Sequence, residues 1–203
     1  MNKINLCILL LFHIIGILIF IFYPNGVSLS YITLALCSLI IFIAEKNKSK
    51  VFITYLSIFI LGFVIEFVGV HTNYLFGNYS YGNALGYKLV GIPIIIGVNW
   101  IAIVVSSTSL SKSIKFIKND FLIALISAFF CTTMDYIIEP VAIKFDFWSW
   151  NNDVIPISNY IDWFIFSFFF SYIYARLKTP INKVAISLFF IWIIFFTLIK
   201  WIA

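Results

Sequence analysis

The stretch LCILLLFHIIGILIFIF, Leu6 to Phe22, runs without a single charged residue. At 1.5 Å per residue a helix of this length nearly crosses an apolar bilayer core of about 30 Å. Its isoleucines and phenylalanines are strand formers in water, but a lone strand in lipid leaves its backbone N–H and C=O groups without partners. A helix is therefore required. A cleavable leader would end in small residues, whereas here Tyr23, Pro24, Asn25 and Gly26 follow and another apolar run begins at once, so the stretch is expected to stay as a span.

Working outward, the same pattern recurs. Apolar runs bounded by charged or turn-forming residues predict spans at Leu6–Phe22, Val27–Ala44, Val51–Val70, Leu89–Thr108, Phe121–Ile143, Tyr160–Ala175 and Val184–Ile202. Hydrophobic residues make up 63% of the chain and charged residues 10%, against about 25% charged in soluble domains, and the mean hydropathy is +1.09. The expectation is an all-α, polytopic helical bundle of seven transmembrane helices, with residues 1–203 forming one integral membrane domain of the bacterial cytoplasmic membrane. No internal repeat or long linker interrupts it.

The net charge of +5 does not form a nucleic-acid face, because the basic residues sit in short clusters between apolar runs. With a cytoplasmic N-terminus, Lys3, Lys46, Lys48, Lys50, Lys112, Lys115, Lys118, Arg176, Lys178 and Lys183 all fall on the cytoplasmic side, ten of the 13 basic residues. Lys88, Lys144 and Lys200 fall outside, as the positive-inside rule requires of seven spans. Cys7, Cys37 and Cys131 lie singly in apolar runs and read as packing residues.

The acids carry the chemistry. Glu45 and Asp120 are expected to border cytoplasmic loops, and Asp146 and Asp153 to lie in an outer loop. Glu66, Asp135, Glu139 and Asp162 fall in the outer parts of spans, where a carboxyl is costly and faces a cavity or a partner. Gly62, Glu66, Gly69 and Asn73 share one helical side. Asp135 and Glu139 are i, i+4 neighbours about 5–6 Å apart, so the two are expected to resist joint ionisation, and Pro140 is expected to bend the helix beside them.

Two outer loops, His71–Leu89 and Lys144–Trp163, are crowded with aromatics that serve either as an interfacial belt or as the cap of a cavity. Each polar candidate also has a plain structural role open to it. Glu66 can bond a neighbouring helix, and Asp162 can be a helix N-terminal acid. His13 fits an interhelical hydrogen bond better than a ligand, while His71 fits either role. Asn99, placed at mid-depth beside Trp100, is helix glue or cavity wall.

The ordered motifs GFVIEFVGVHTNYLFGNYSYGNALGYKLVGIPIIIGVNW (Gly62–Trp100), MDYIIEP (Met134–Pro140), FWSW (Phe147–Trp150) and IPISNYIDW (Ile155–Trp163) resemble the carotenoid biosynthesis protein family. The resemblance spans Gly62 to Tyr172. It would place family positions at Glu66, Phe76, Gly77, Tyr79, Tyr81, Pro93, Trp100, Asp135, Glu139, Pro140, Trp148, Trp150, Pro156, Asn159 and Trp163. Where the family has Gly before the last Trp, this chain has Asp162.

Characterised members are membrane carotenoid hydratases, so the resemblance implies hydration of the terminal double bond of an acyclic or monocyclic carotene to a tertiary alcohol. Glu66, Asp135 and Glu139 are the catalytic candidates. His71, Asn73, Tyr79, Tyr81, Asn99, Trp100, Trp148, Trp150, Asn159, Asp162 and Trp163 are candidates for binding the substrate. The reaction is redox-neutral, so no metal, flavin or nicotinamide is expected. The implied partners are a carotene within the bilayer, membrane lipids and other carotenoid-pathway enzymes, with no nucleic acid.

A cyclase or isomerase could use the same acid and lose a proton instead of adding water. A proton-coupled or small-solute transporter is the rival from another class, weakened by acids that stop short of the cytoplasmic half and by the missing inverted repeat. Two histidines are too few for a membrane di-iron oxygenase. DYIIE with NNDVIP is not the Asp-rich pair of a prenyltransferase, and Lys200 lies too near a helix end for a retinal protein.

Overall fold

The computed structural model describes residues 3–202. Among these, seven α-helices follow one another: α1 (Lys3–Phe22), α2 (Ser30–Ile43), α3 (Lys48–Thr72), α4 (Ile95–Ser113), α5 (Asp120–Lys144), α6 (Ile157–Arg176) and α7 (Lys183–Ile202). The all-α membrane bundle is as the apolar runs predict. Six segments are long and apolar enough to cross a membrane, 3–22, 24–43, 48–72, 95–113, 120–144 and 183–202. The seventh helix, α6, is less apolar because Asn159, Asp162 and its tyrosines dilute the phenylalanines, and it lies along α5 and beside α4.

Helix α4 is the axis of the bundle. It contacts α2, α3, α5, α6 and α7, and every residue from Trp100 to Ser109 is buried. Small residues make that centrality possible, since Ala102, Ser106, Ser107 and Ser109 let neighbouring backbones come close. Glycines do the same where rings cross. A Cβ on Gly62 of α3 would stand 2.7 Å from the Trp100 ring, so only glycine admits that indole against α3.

One end of the bundle is tied by a buried acid. Glu45, in the connection between α2 and α3 as expected, is nevertheless buried, at 4% exposed. Its Oε1 accepts from Tyr174 at 2.6 Å, Asn182 at 2.8 Å and Tyr55 at 3.2 Å, joining α3, α6 and the turn before α7. Lys112 donates to the Thr179 carbonyl at 2.6 Å, and Lys178 pairs with Asp120 at 2.5 Å. The three connections 44–47, 114–119 and 177–182, which carry Lys46, Lys115, Lys118 and Lys178, therefore share this end.

The opposite end carries two short antiparallel ribbons absent from the all-helical expectation. Strand β1 (Tyr79–Tyr81) pairs with β4 (Trp148–Trp150), and β2 (Lys88–Leu89) pairs with β3 (Ile92–Pro93). The second ribbon corrects the fourth span. Residues 88–93 form a hairpin turned at Val90 (φ 47°) and Gly91 (φ 83°), so the helix starts at Ile95 instead of Leu89. Asn99 and Trp100 consequently sit in the first turns of α4, not at mid-depth.

This shared end sharpens the orientation expected from charge. Reporters fused at Lys48, Lys115 and Lys178 should all read cytoplasmic, and those at Gly82 and Asn151 external. Opposite readings among the first three would contradict the bundle.

Candidate active site

The site is built under the ribbon of β1 and β4. In a strand, alternate side chains share a face. The register Tyr79↔Trp150 and Tyr81↔Trp148 therefore sets four rings on one side, while Ser80 and Ser149 meet on the other. All four ring donors point down at carboxylates rising from the helices below.

Glu66 of α3 is 4% exposed and receives donors on both oxygens. Tyr79 and Tyr81 donate to Oε2 at 2.5 and 2.7 Å, and the Trp100 indole donates to Oε1 at 3.0 Å. Burial, with the Glu66 charge beside it, pushes the Tyr79 phenol well above its ordinary value, so Tyr79 stays a donor. A Cβ on Gly69, one helical turn further on, would crowd the Tyr79 hydroxyl at 2.9 Å.

Glu139 of α5, 1% exposed, is held in the same way from the other strand. Trp148 and Trp150 donate to its Oε2 at 3.0 and 2.9 Å. The Asn159 amide of α6 reaches Glu139 Oε1 at 3.4 Å and Asp135 Oδ2 at 2.8 Å, bridging the i, i+4 pair. Asp135, 2% exposed, accepts from Asn159 alone among the described residues. Helix α5 continues through Pro140, where the missing N–H leaves the Tyr136 carbonyl without its helical donor.

Glu66, Asp135 and Glu139 line one pocket together with Tyr79, Tyr81, Asn99, Trp148, Trp150, Asn159 and Trp163. Trp100 stacks on Trp163 at 4.1 Å between ring centres and 17° between planes, closing the floor. The pocket measures about 20 Å³. A cavity needs roughly 10–15 Å³ to hold one water with two to four polar partners, so it has room and partners for a water. Among the described residues, no group of three or more His, Cys, Asp and Glu side chains is arranged to hold a metal ion.

Three candidates lie elsewhere. His71 is exposed, bonds the Phe67 carbonyl at 2.9 Å and stacks on the Phe67 ring. Asn73, also exposed, caps α3 in the left-handed region (φ 58°), because the helix stops before the i+11 position can face inward. Asp162 lies past the first turn of α6, and its Oδ2 accepts from the Phe76 N–H at 2.6 Å. That bond braces a turn in which Phe76 (φ 64°) and Gly77 (φ 115°) both take positive φ. Phe76 and Ile96, which were not candidates for the site, line the pocket as packing residues.

Fold and site together define an integral membrane protein with buried carboxyls gathered under an aromatic lid. The chain belongs to the carotenoid biosynthesis protein family, whose family model matches residues 27–202 and so extends beyond the stretch from Gly62 to Tyr172 that carries the resemblance. No curated protein and no solved structure matches the chain.

The brace gives a test of its own. Asp162→Ala should speed amide hydrogen exchange at Leu75–Gly77 at least tenfold while the helices keep their protection, because a hydrogen bond to a charged acceptor is worth about 1.5–3 kcal/mol. Unchanged exchange there would show that Asp162 does not hold the turn.

Proposed function

We propose that the chain is a cofactor-independent carotenoid hydratase of the hydro-lyase type. The observation that carries this reading is the meeting of Glu66, Asp135 and Glu139 in one aromatic-walled pocket, in a member of a carotenoid biosynthesis family. A terminal trisubstituted double bond is hydrated by protonating its less substituted alkene carbon. The π pair becomes the new C–H bond, a tertiary cation forms, and water adds to it with loss of one proton. The products of one turnover are one C–H and one C–OH bond, and the acid is regenerated.

Donor placement distributes the roles. Glu66 and Glu139 each receive three hydrogen-bond donors, which occupy their oxygens and fix their positions. Asp135 has only Asn159 and sits one helical turn from Glu139, so it is the carboxyl best suited to carry and deliver the proton. Its conjugate base then takes the proton back from the attacking water. The neighbouring carboxyl groups and the faces of Trp148, Trp150 and Trp163 stabilise the cation between these steps.

A cyclase or isomerase would share the first step and differ in product. Buried polar groups do reach the other half of the bundle, through Glu45 and the hydroxyls of α4, so depth alone does not argue against transport as the sequence suggested. Family membership and the aromatic pocket favour the enzyme.

Expression in a host that accumulates acyclic or monocyclic carotenes should yield products heavier by one water. Asp135→Asn and Glu66→Gln keep the shapes of the side chains and should lower that yield by about 10²–10⁴-fold, the usual contribution of a positioned acid or base. Full activity in both variants at normal protein levels would overturn the assignment. Products of unchanged mass would favour the cyclase or isomerase.

A further inference from the structure

The acid pocket opens onto a second space of opposite character. An apolar cavity of about 110 Å³ lies between α1, α2, α4 and α7, and Ile96, Asn99 and Trp148 line both it and the acid pocket. Its outer walls are Phe12, Gly16 and Phe20 of α1, Thr33 and Cys37 of α2, and Trp192 of α7. Helix α1 leans chiefly on α7, and α2 chiefly on α4. The two share few contacts with each other.

The sizes separate the occupants. The 20 Å³ pocket, lined by carboxyls, suits a water. The 110 Å³ cavity, lined by rings and aliphatic groups, is of the order of the roughly 150 Å³ apolar cavity that stays dry and takes benzene. That is room for about one isoprenoid unit of five carbons, far less than a whole carotene. Space is scarce at the α1 wall, where a Cβ on Gly16 would stand 3.1 Å from the Phe195 ring.

We propose that this cavity seats the terminal isoprenoid unit itself, that its double bond meets the acids and the pocket water at the neck formed by Asn99 and Trp148, and that the remaining polyene leaves between α1 and α2. The assignment rests on the hydratase reading for the identity of the occupant. Its geometric basis is an apolar seat that shares Ile96, Asn99 and Trp148 with the polar pocket, beside the sparse contact of α1 with α2. Helix α1 precedes the family-matched residues 27–202, so this chain shapes one wall of the seat with residues outside the match.

Binding can be measured apart from turnover. The full-length protein, extracted from membranes containing an acyclic C40 polyene, should retain that polyene in stoichiometric amount by its visible absorption. The Glu66→Gln variant, disabled only in chemistry, should retain as much. Thr33→Phe and Gly16→Leu fill the seat from two different helices and should each cut retention at least fivefold at unchanged protein yield. Retention equal to wild type in both filled variants would overturn the proposal, as would a seat found to hold phospholipid instead of polyene. Retention lost on filling, in a protein that never forms a hydrated product, would sink the hydratase reading and leave the seat standing.

Discussion

A carboxyl placed within a bilayer costs about 2.5–3.5 kcal/mol unless it finds partners, and this fold is arranged to supply them. Three residues of β1 and three of β4 suffice. Their two-residue period puts Tyr79, Tyr81, Trp148 and Trp150 on a single face, and each strand serves one glutamate. The ribbon can do this only if its two loops are held in register over the helices. Asp162 braces one through the Phe76 N–H, and Asp146 holds the Asn83 N–H at 2.9 Å. Removing the ribbon would leave Glu66 and Glu139 short of donors in a medium that supplies none.

The rest of the bundle keeps that lid in place. Helix α4 carries Trp100 into the outer cluster through the gap left by Gly62, and its buried hydroxyls run on toward the other end. There Thr108 meets Ser127, and Ser127 meets Ser171 at 2.8 Å, linking α4, α5 and α6 without bulky side chains. Glu45, with Tyr55, Tyr174 and Asn182, fastens the far end. A buried acid cluster thus lies toward each end of the bundle, and the outer one lines a pocket beside a hydrocarbon-sized cavity.

Much of this was legible in the amino-acid sequence, and the exceptions have physical causes. Apolar runs set the helices because lipid leaves the backbone no alternative. The three acids stood out because carboxyls in such runs are costly. Helical periodicity placed Gly62, Glu66 and Gly69 together, but it failed at Asn73, where the helix had already ended in a left-handed cap. The fourth span was set too early because Leu89, Val90 and Ile92 are apolar without being helical. Gly91 between them was the available sign of a turn. The loop-border position of Glu45 gave no sign of its burial, since nothing local reveals that Tyr174 and Asn182 return to it from far along the chain. The pairing of YSY with WSW was missed although both alternate aromatic and serine residues, because short strands separated by two helices carry no local signal of partnership.

The central claim is that water is added across a carbon–carbon double bond after protonation by a buried carboxyl. The most direct measurement is turnover of an acyclic carotene in heavy-oxygen, deuterated water, followed by mass analysis of the product. The account predicts one oxygen from water and one non-exchangeable deuterium on the adjacent carbon in every product molecule. Deuterium without added oxygen would contradict hydration in favour of cyclisation or isomerisation, and a hydroxyl oxygen drawn from oxygen gas would contradict acid chemistry altogether.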